Sequence, residues 1–213
     1  MDGLNKISLK DQAYQVIKAK IMTQEYHLGE KINMRELAKE MNISSTPIRE
    51  ALSALEKENL VTISPFAGPS VIRLNSEIFR KTFDTVLTLL LGSYEFCLYN
   101  DKLSILVALI SESVEYQRQI VNTADDYDFV RATIAVDTAL VTACENSFLT
   151  SIFNSTFDVQ TLILLYDYSQ RYVDRYANIA EHETILNAIS SGQHDEARKL
   201  LHRHYSRSIM FKT

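Results

Sequence analysis

The sequence has 213 residues, 46% of them hydrophobic and 23% charged, and its 22 Lys and Arg against 27 Asp and Glu give a formal net charge of -5. Apolar content at this level excludes a disordered chain, and the charge balance excludes a polycation. The length suits one large domain or two small ones, while only 5 Gly and 3 Pro are too few turn formers for an all-β protein, so a mainly α fold is expected.

In chain order, residues 8–23 carry Ala13, Val16, Ile17 and Ile21 as a helical apolar stripe. A turn at Leu28-Gly29-Glu30 precedes Asn33-Met34-Arg35-Glu36, where Asn33 and Glu36 have capping-box spacing for a short second helix that stops at Asn42. Ser44-Ser45-Thr46-Pro47, hydroxyl residues with a proline in the first turn, mark the start of a third helix. Residues 60–63 and 70–74 flank Pro65-Phe66-Ala67-Gly68-Pro69 and read as a β-hairpin. Three helices and a hairpin make a winged helix-turn-helix pattern, expected over residues 1–75.

Composition changes near Asn75-Ser76-Glu77. All three prolines and four of the five glycines precede residue 93, and residues 1–75 hold ten Lys/Arg and nine Asp/Glu against twelve and eighteen in the rest. A near-neutral head on an acidic body suggests two domains with different partners. Residues 76–213 read as an all-helical bundle of about six helices, at 77–99, 102–121, 125–145, 148–168, 171–190 and 194–210, with polar breaks supplying caps and turns. Cys97 and Cys144 lie far apart in apolar stretches, which predicts neither a disulfide framework nor a cysteine zinc site and fits a reducing cytoplasm. The amino terminus lacks the apolar centre of a signal peptide, and the longest apolar run, Val86 to Leu91, is broken by Thr88 and too short for a bilayer. A cytoplasmic protein with no membrane partner is expected.

In the third helix Ile48, Leu52 and Leu55 share one face by spacing, which leaves Ser45, Thr46, Arg49 and Ser53 on the other. Hydroxyls and free N–H groups at a helix N-terminus suit phosphate, and an Arg reaches a guanine edge. Arg35 is placed to neutralise a phosphate, and the tip Phe66-Ala67-Gly68 to approach the backbone or minor groove. A plainer reading also stands: Ser44, Ser45 and Thr46 as an ordinary cap and Arg49 as a solvated charge.

As an ordered set, residues 30–61 resemble the DNA-binding domain of the GntR family of bacterial transcription regulators. Ser44 to Leu52 matches its Ser-x-Thr-Pro-x-Arg-Glu-Ala-Leu core at every fixed position. The resemblance implies that Arg35, Ser44, Ser45, Thr46 and Arg49, with the wing tip near Phe66 and Gly68, contact double-stranded operator DNA. One departure is Ser45, where the family commonly has Arg; a Ser cannot make the bidentate guanine contact, worth ~1–3 kcal/mol of discrimination, so a different or weaker operator is expected.

The body resembles the effector domain of the fatty-acid-regulator-like (FCD) branch, best in Glu181-His182-x-x-Ile185-Leu186-x-Ala188-Ile189 and Ala197-x6-His204. That branch holds a divalent ion such as zinc or nickel on an Asp and a His from one helix and a His from each of two later ones. Alignment through Ala143-Cys144-Glu145-Asn146 puts Thr133 at the usual Asp position and Asp137 at the usual His position, with His182 and His204 filling the other two. The resemblance thus implies Asp137, His182 and His204 as a reduced ligand set. Read without it, His182 is a hydrogen-bonded core residue and His204 one of a group of surface bases. Asn178 shares a face with His182, as Thr133 does with Asp137, so these residues are expected to line a pocket for a small effector.

The expected function is a cytoplasmic ligand-responsive DNA-binding regulator, a repressor, homodimeric through the helical domain. The competing expectation is a metal-dependent enzyme using Asp137, His182 and His204, although no motif such as His-Glu-x-x-His accompanies them.

Overall fold

Ser8 accepts the Asp11 N–H and starts helix α1 (Leu9–Met22), in the computed structural model, which describes residues 7–170 and 174–207. Asn33 accepts the N–H groups of Arg35 and Glu36 and starts α2 (Met34–Met41), and Asn42, in the left-handed region at φ 53°, ends it. That sharp stop turns the chain into α3 (Ser45–Lys57). Ala13, Ile17 and Ile21 of α1 pack across Ile48, Ala51, Leu52 and Leu55 of α3, all at most 1% exposed. Each large side chain of this kind contributes about 1.5–3 kcal/mol on burial, which fixes the inner face of α3 and therefore its outer one.

Strands β1 (Val61–Ser64) and β2 (Gly68–Val71) pair antiparallel, Val61 with Val71 and Ser64 with Gly68. The second strand starts two residues earlier than the sequence suggests. Gly68, at φ +78°, turns the chain directly into it, and Pro69, which has no N–H to offer, still accepts from Ile32 N at 2.9 Å. Lys31 bridges Ser70, so β2 has a short partner on its other side.

The described chain divides into two compact units between Leu74 and Asn75. The second holds seven described helices rather than about six: α4 (Ser76–Tyr99), α5 (Leu103–Ile120), α6 (Asp126–Thr142), α7 (Ser147–Asn154), α8 (Phe157–Gln170), α9 (Arg175–Ser190) and α10 (His194–Arg207). The segment expected at 148–168 breaks at Ser155 and Thr156, whose hydroxyls donate back to the carbonyls of Ile152 (2.6 Å) and Phe153 (2.7 Å) and compete with the helical ladder. The expected start at 171 and end at 210 lie outside the described residues.

Helix α6 is the centre of this unit, with ten buried residues from Phe129 to Val141 spread around its circumference. It packs on α4, α5, α7 and α8, while α9 packs on α5 and α10. Arg175 joins α9 to the α5–α6 turn: its Nη1 donates to the carbonyls of Val121 (3.0 Å) and Ala124 (2.8 Å), and its guanidinium lies 4.8 Å from the Phe129 ring centroid. Cys97 and Cys144, 47 residues apart, meet in the interior with their Sγ atoms 3.8 Å apart, a proximity that their spacing did not suggest. Among the described residues no single helix is long and apolar enough to cross a membrane.

Candidate functional site

The head presents one polar surface. Burial of Ile48, Leu52 and Leu55 turns Ser45, Thr46, Arg49 and Ser53 outward, and all four are exposed, as are Ser44 and Arg35. Of the three head helices, α3 alone has no side-chain cap hydrogen bond, whereas Ser8 and Asn33 cap the other two. Ser44 holds the N-cap position, but its hydroxyl makes no capping hydrogen bond. The first N–H groups of α3 and the hydroxyls around them stay open, which is the arrangement an anion takes at a helix N-terminus. Neither the Arg35 nor the Arg49 guanidinium makes a hydrogen bond or ion pair with a described residue. At the hairpin tip Phe66 is 102% exposed, and Gly68 has open space where a Cβ would stand.

The second unit holds a half-open cavity of about 180 Å³. Thr133 and Asp137 reach it from α6, Asn178 from α9 and His204 from α10, as the face arithmetic expects. His182 does not line it directly; its ring lies behind that of His204, with centroids 4.9 Å apart. Phe83 of α4, Tyr168 of α8 and Tyr205 of α10 complete an aromatic wall that the sequence reading did not single out.

Gln117, fully buried on α5 at the next position of the stripe Leu106, Ile110, Val114, joins the polar residues of α6 and α9. Its Nε2 donates to Thr133 Oγ1 (2.9 Å) and Asn178 Oδ1 (2.7 Å), which leaves its Oε1 to accept from His182 Nδ1 (2.8 Å). That assignment fixes the neutral tautomer with the proton on Nδ1 and a lone pair on Nε2. Burial, reinforced by His204, holds the His182 imidazole well below its ordinary range. The Nε2 atom is buried with no partner among the described residues.

Burial pushes the Asp137 carboxyl up to about 6, against opposing pulls from His204 and the Tyr205 hydroxyl. Burial and the facing Asp137 carboxyl push the Tyr205 hydroxyl well above its ordinary range. Glu181 Oε2 holds His204 Nδ1 at 2.8 Å, and the Thr133 hydroxyl accepts from Gln117 and lies 3.1 Å from the Phe129 carbonyl and 3.3 Å from Asn178 Oδ1. Among the described residues no three His, Cys, Asp or Glu side chains are grouped to hold a metal ion. Asp137, His182 and His204 share a region without converging as a ligand set, so the residues present do not fit the ion that the resemblance implies.

With this geometry established, residues 9–71 match the family described as bacterial regulatory proteins, gntR family, and residues 104–207 match the FCD domain. The chain belongs to the GntR family of bacterial transcription regulators, in the branch that carries an FCD domain. It is similar to the HTH-type transcriptional regulator YdhC of Bacillus subtilis strain 168, with 23% identity over 197 residues covering 92% of this chain and 87% of that protein. Similarity to the gluconate operon transcriptional repressor of Bacillus licheniformis is 24% identity, covering 83% of this chain and 74% of that one. Among solved structures, a GntR transcriptional regulator from Rhodococcus sp. RHA1 superposes with a TM-score of 0.76 at 15% identity, covering 96% of this chain and 99% of its own. E. coli McbR/YncC does so with a TM-score of 0.66 at 19% identity, covering 95% and 96%. These two likenesses show the fold. The family and the curated relatives are transcription regulators, not enzymes, which sets aside the metal-dependent enzyme.

Proposed function

We propose that this chain is a cytoplasmic, homodimeric repressor that binds a two-fold symmetric operator through α3 and releases or tightens on it when a small effector enters the cavity of the helical unit. The observation that carries the DNA reading is the uncapped N-terminus of α3, with the unpartnered Arg49 one turn further on. Ser44, Ser45 and Thr46 take phosphate oxygens there, Arg35 neutralises a neighbouring phosphate, Arg49 reads a base edge, and Phe66 and Gly68 bring the wing against the backbone. Repression is supported by the name of the gluconate operon repressor to which the chain is similar. Dimerisation is supported by exposed large apolar side chains on two helices that pack together, Phe96 and Tyr99 on α4 with Phe148 and Ile152 on α7.

Thr133, Asp137, Asn178 and His204 line the effector cavity in this reading, with His182 behind His204, and the effector acts by binding one dimer geometry better than the other. A resident zinc or nickel ion is not part of it, because its donors do not converge. Fluorescence anisotropy on palindromic fragments from the regulated locus tests the proposal. Binding must weaken steeply with salt, fall on Arg49→Ala, and saturate at two chains per site. Salt-independent binding, or binding indifferent to Arg49→Ala, overturns it.

A further inference from the structure

Three of the four buried side-chain polar atoms that lack a partner among the described residues are Tyr168 Oη, His182 Nε2 and Tyr205 Oη. Two of them line the same cavity and the third lies behind its His204 wall. Buried polar groups in native proteins are nearly always satisfied, so these atoms mark the hollow as one suited to a polar guest. The charge of the hollow says what kind. Asp137, Asp167 and Glu181 all line it, and no described lining residue is Lys or Arg; Arg203 faces a separate shallow cleft beyond Glu181 and His204.

We propose that the cavity takes a small organic cation, an amine, held directly by the Asp137 carboxylate and the aromatic wall of Phe83, Tyr168 and Tyr205, with no metal ion between. This rests on reading the cavity as the effector site. Asp137 is buried and pairs with no described Lys or Arg; the Tyr205 hydroxyl beside it is a neutral neighbour, and a buried carboxylate takes further donors and a cation. An ammonium group supplies both. His182 Nε2, behind His204, offers only a lone pair, because its Nδ1–H already donates to Gln117 Oε1. A simple dicarboxylate has no N–H or O–H to give it and would sit against the Asp137 carboxylate. Aromatic rings beside a carboxylate are the usual surroundings of a bound ammonium, whose charge is attracted to the ring faces.

Three four-carbon probes separate the outcomes: 1,4-diaminobutane, butane-1,4-diol and succinate, titrated calorimetrically into the EDTA-treated full chain at matched ionic strength. The diamine is expected to bind once per chain, about tenfold or more tighter than the diol, with succinate silent. Asp137→Asn is expected to reduce diamine affinity by about tenfold or more while keeping a cooperative melt, and Tyr168→Phe, which keeps the ring, to reduce it less. Succinate binding tighter than the diamine, diamine binding unchanged in Asp137→Asn, or binding that appears only with one zinc or nickel per chain overturns the proposal. Succinate binding leaves the effector cavity standing and removes only its preference for amines. Silence of all three probes removes both.

Discussion

Ile48 and Arg49 are neighbours in sequence and opposites in space: Ile48 is wholly buried against α1 while Arg49 stands in solvent without a described partner. The first fixes the helix and the second is free to read. Arg49→Ala is therefore expected to leave stability within about 0.5 kcal/mol and to weaken operator binding by about 1–3 kcal/mol, with relaxed preference at one base pair. Parallel thermal melts and anisotropy titrations on single-base operator variants check this. Equal loss on every sequence, with the salt slope lowered by about one, would reassign Arg49 to phosphate.

Ser45 is exposed in the first turn of α3, where the family commonly has Arg. Ser45→Arg adds a guanidinium beside Arg49 without entering the core. Selection of binding sites from a random pool is expected to show a new guanine preference worth about 1–3 kcal/mol at one position. An unchanged selected consensus would mean that the side chain at this position does not reach the bases.

Gln117→Leu removes the carboxamide but keeps much of its volume, and it strands His182 Nδ1 in the interior, while Asn178 Oδ1 keeps the Thr133 hydroxyl at 3.3 Å. Each buried orphan costs roughly 1–3 kcal/mol, so denaturant unfolding of the full chain should lose at least one such increment. A neutral result would show that water replaces the amide.

The pH dependence of stability has a defined sign at Asp137. Its carboxyl is raised from 3.8 to about 6 in the folded state. The folded chain then holds a proton that the unfolded chain has released, so the contribution of this group is fully present below about pH 4 and is lost as pH rises through about 6. Asp137→Asn removes that loss. The stability difference between variant and wild type should shift in favour of the variant across this window, by at most roughly 3 kcal/mol. His182, held neutral by burial, acts in the opposite direction and is common to both proteins. A flat difference from pH 4 to 7 would show that the carboxylate is solvated.

The head was legible because each of its decisions is local. Asn33 caps over two and three residues, Asn42 stops α2, and Ile48, Leu52 and Leu55 keep strict helical spacing. The hairpin register was less so, because the place where β2 begins depends on the backbone at Gly68 and on hydrogen bonds from residues 30–32. In the body the faces of α6 and α9 were readable, so Thr133 with Asp137 and Asn178 with His182 fell where spacing put them. Gln117 was not, since one polar residue in an apolar stripe carries no mark of the two helices that it will bridge. Nor were Cys97 and Cys144, because contact across 47 residues is a property of the packing of α4 on α6 and not of either stretch.

Phe66 has consequences beyond its place at the hairpin tip. A phenyl ring with all of its surface in water holds a hydration shell that nothing in the free protein relieves. Whatever covers the ring sets that shell loose, at about 25 cal/mol for each Å² of apolar area withdrawn from solvent, with a negative heat-capacity change as its mark. The wing thus carries a share of binding energy that ignores ionic strength and that persists when added salt has weakened the arginines.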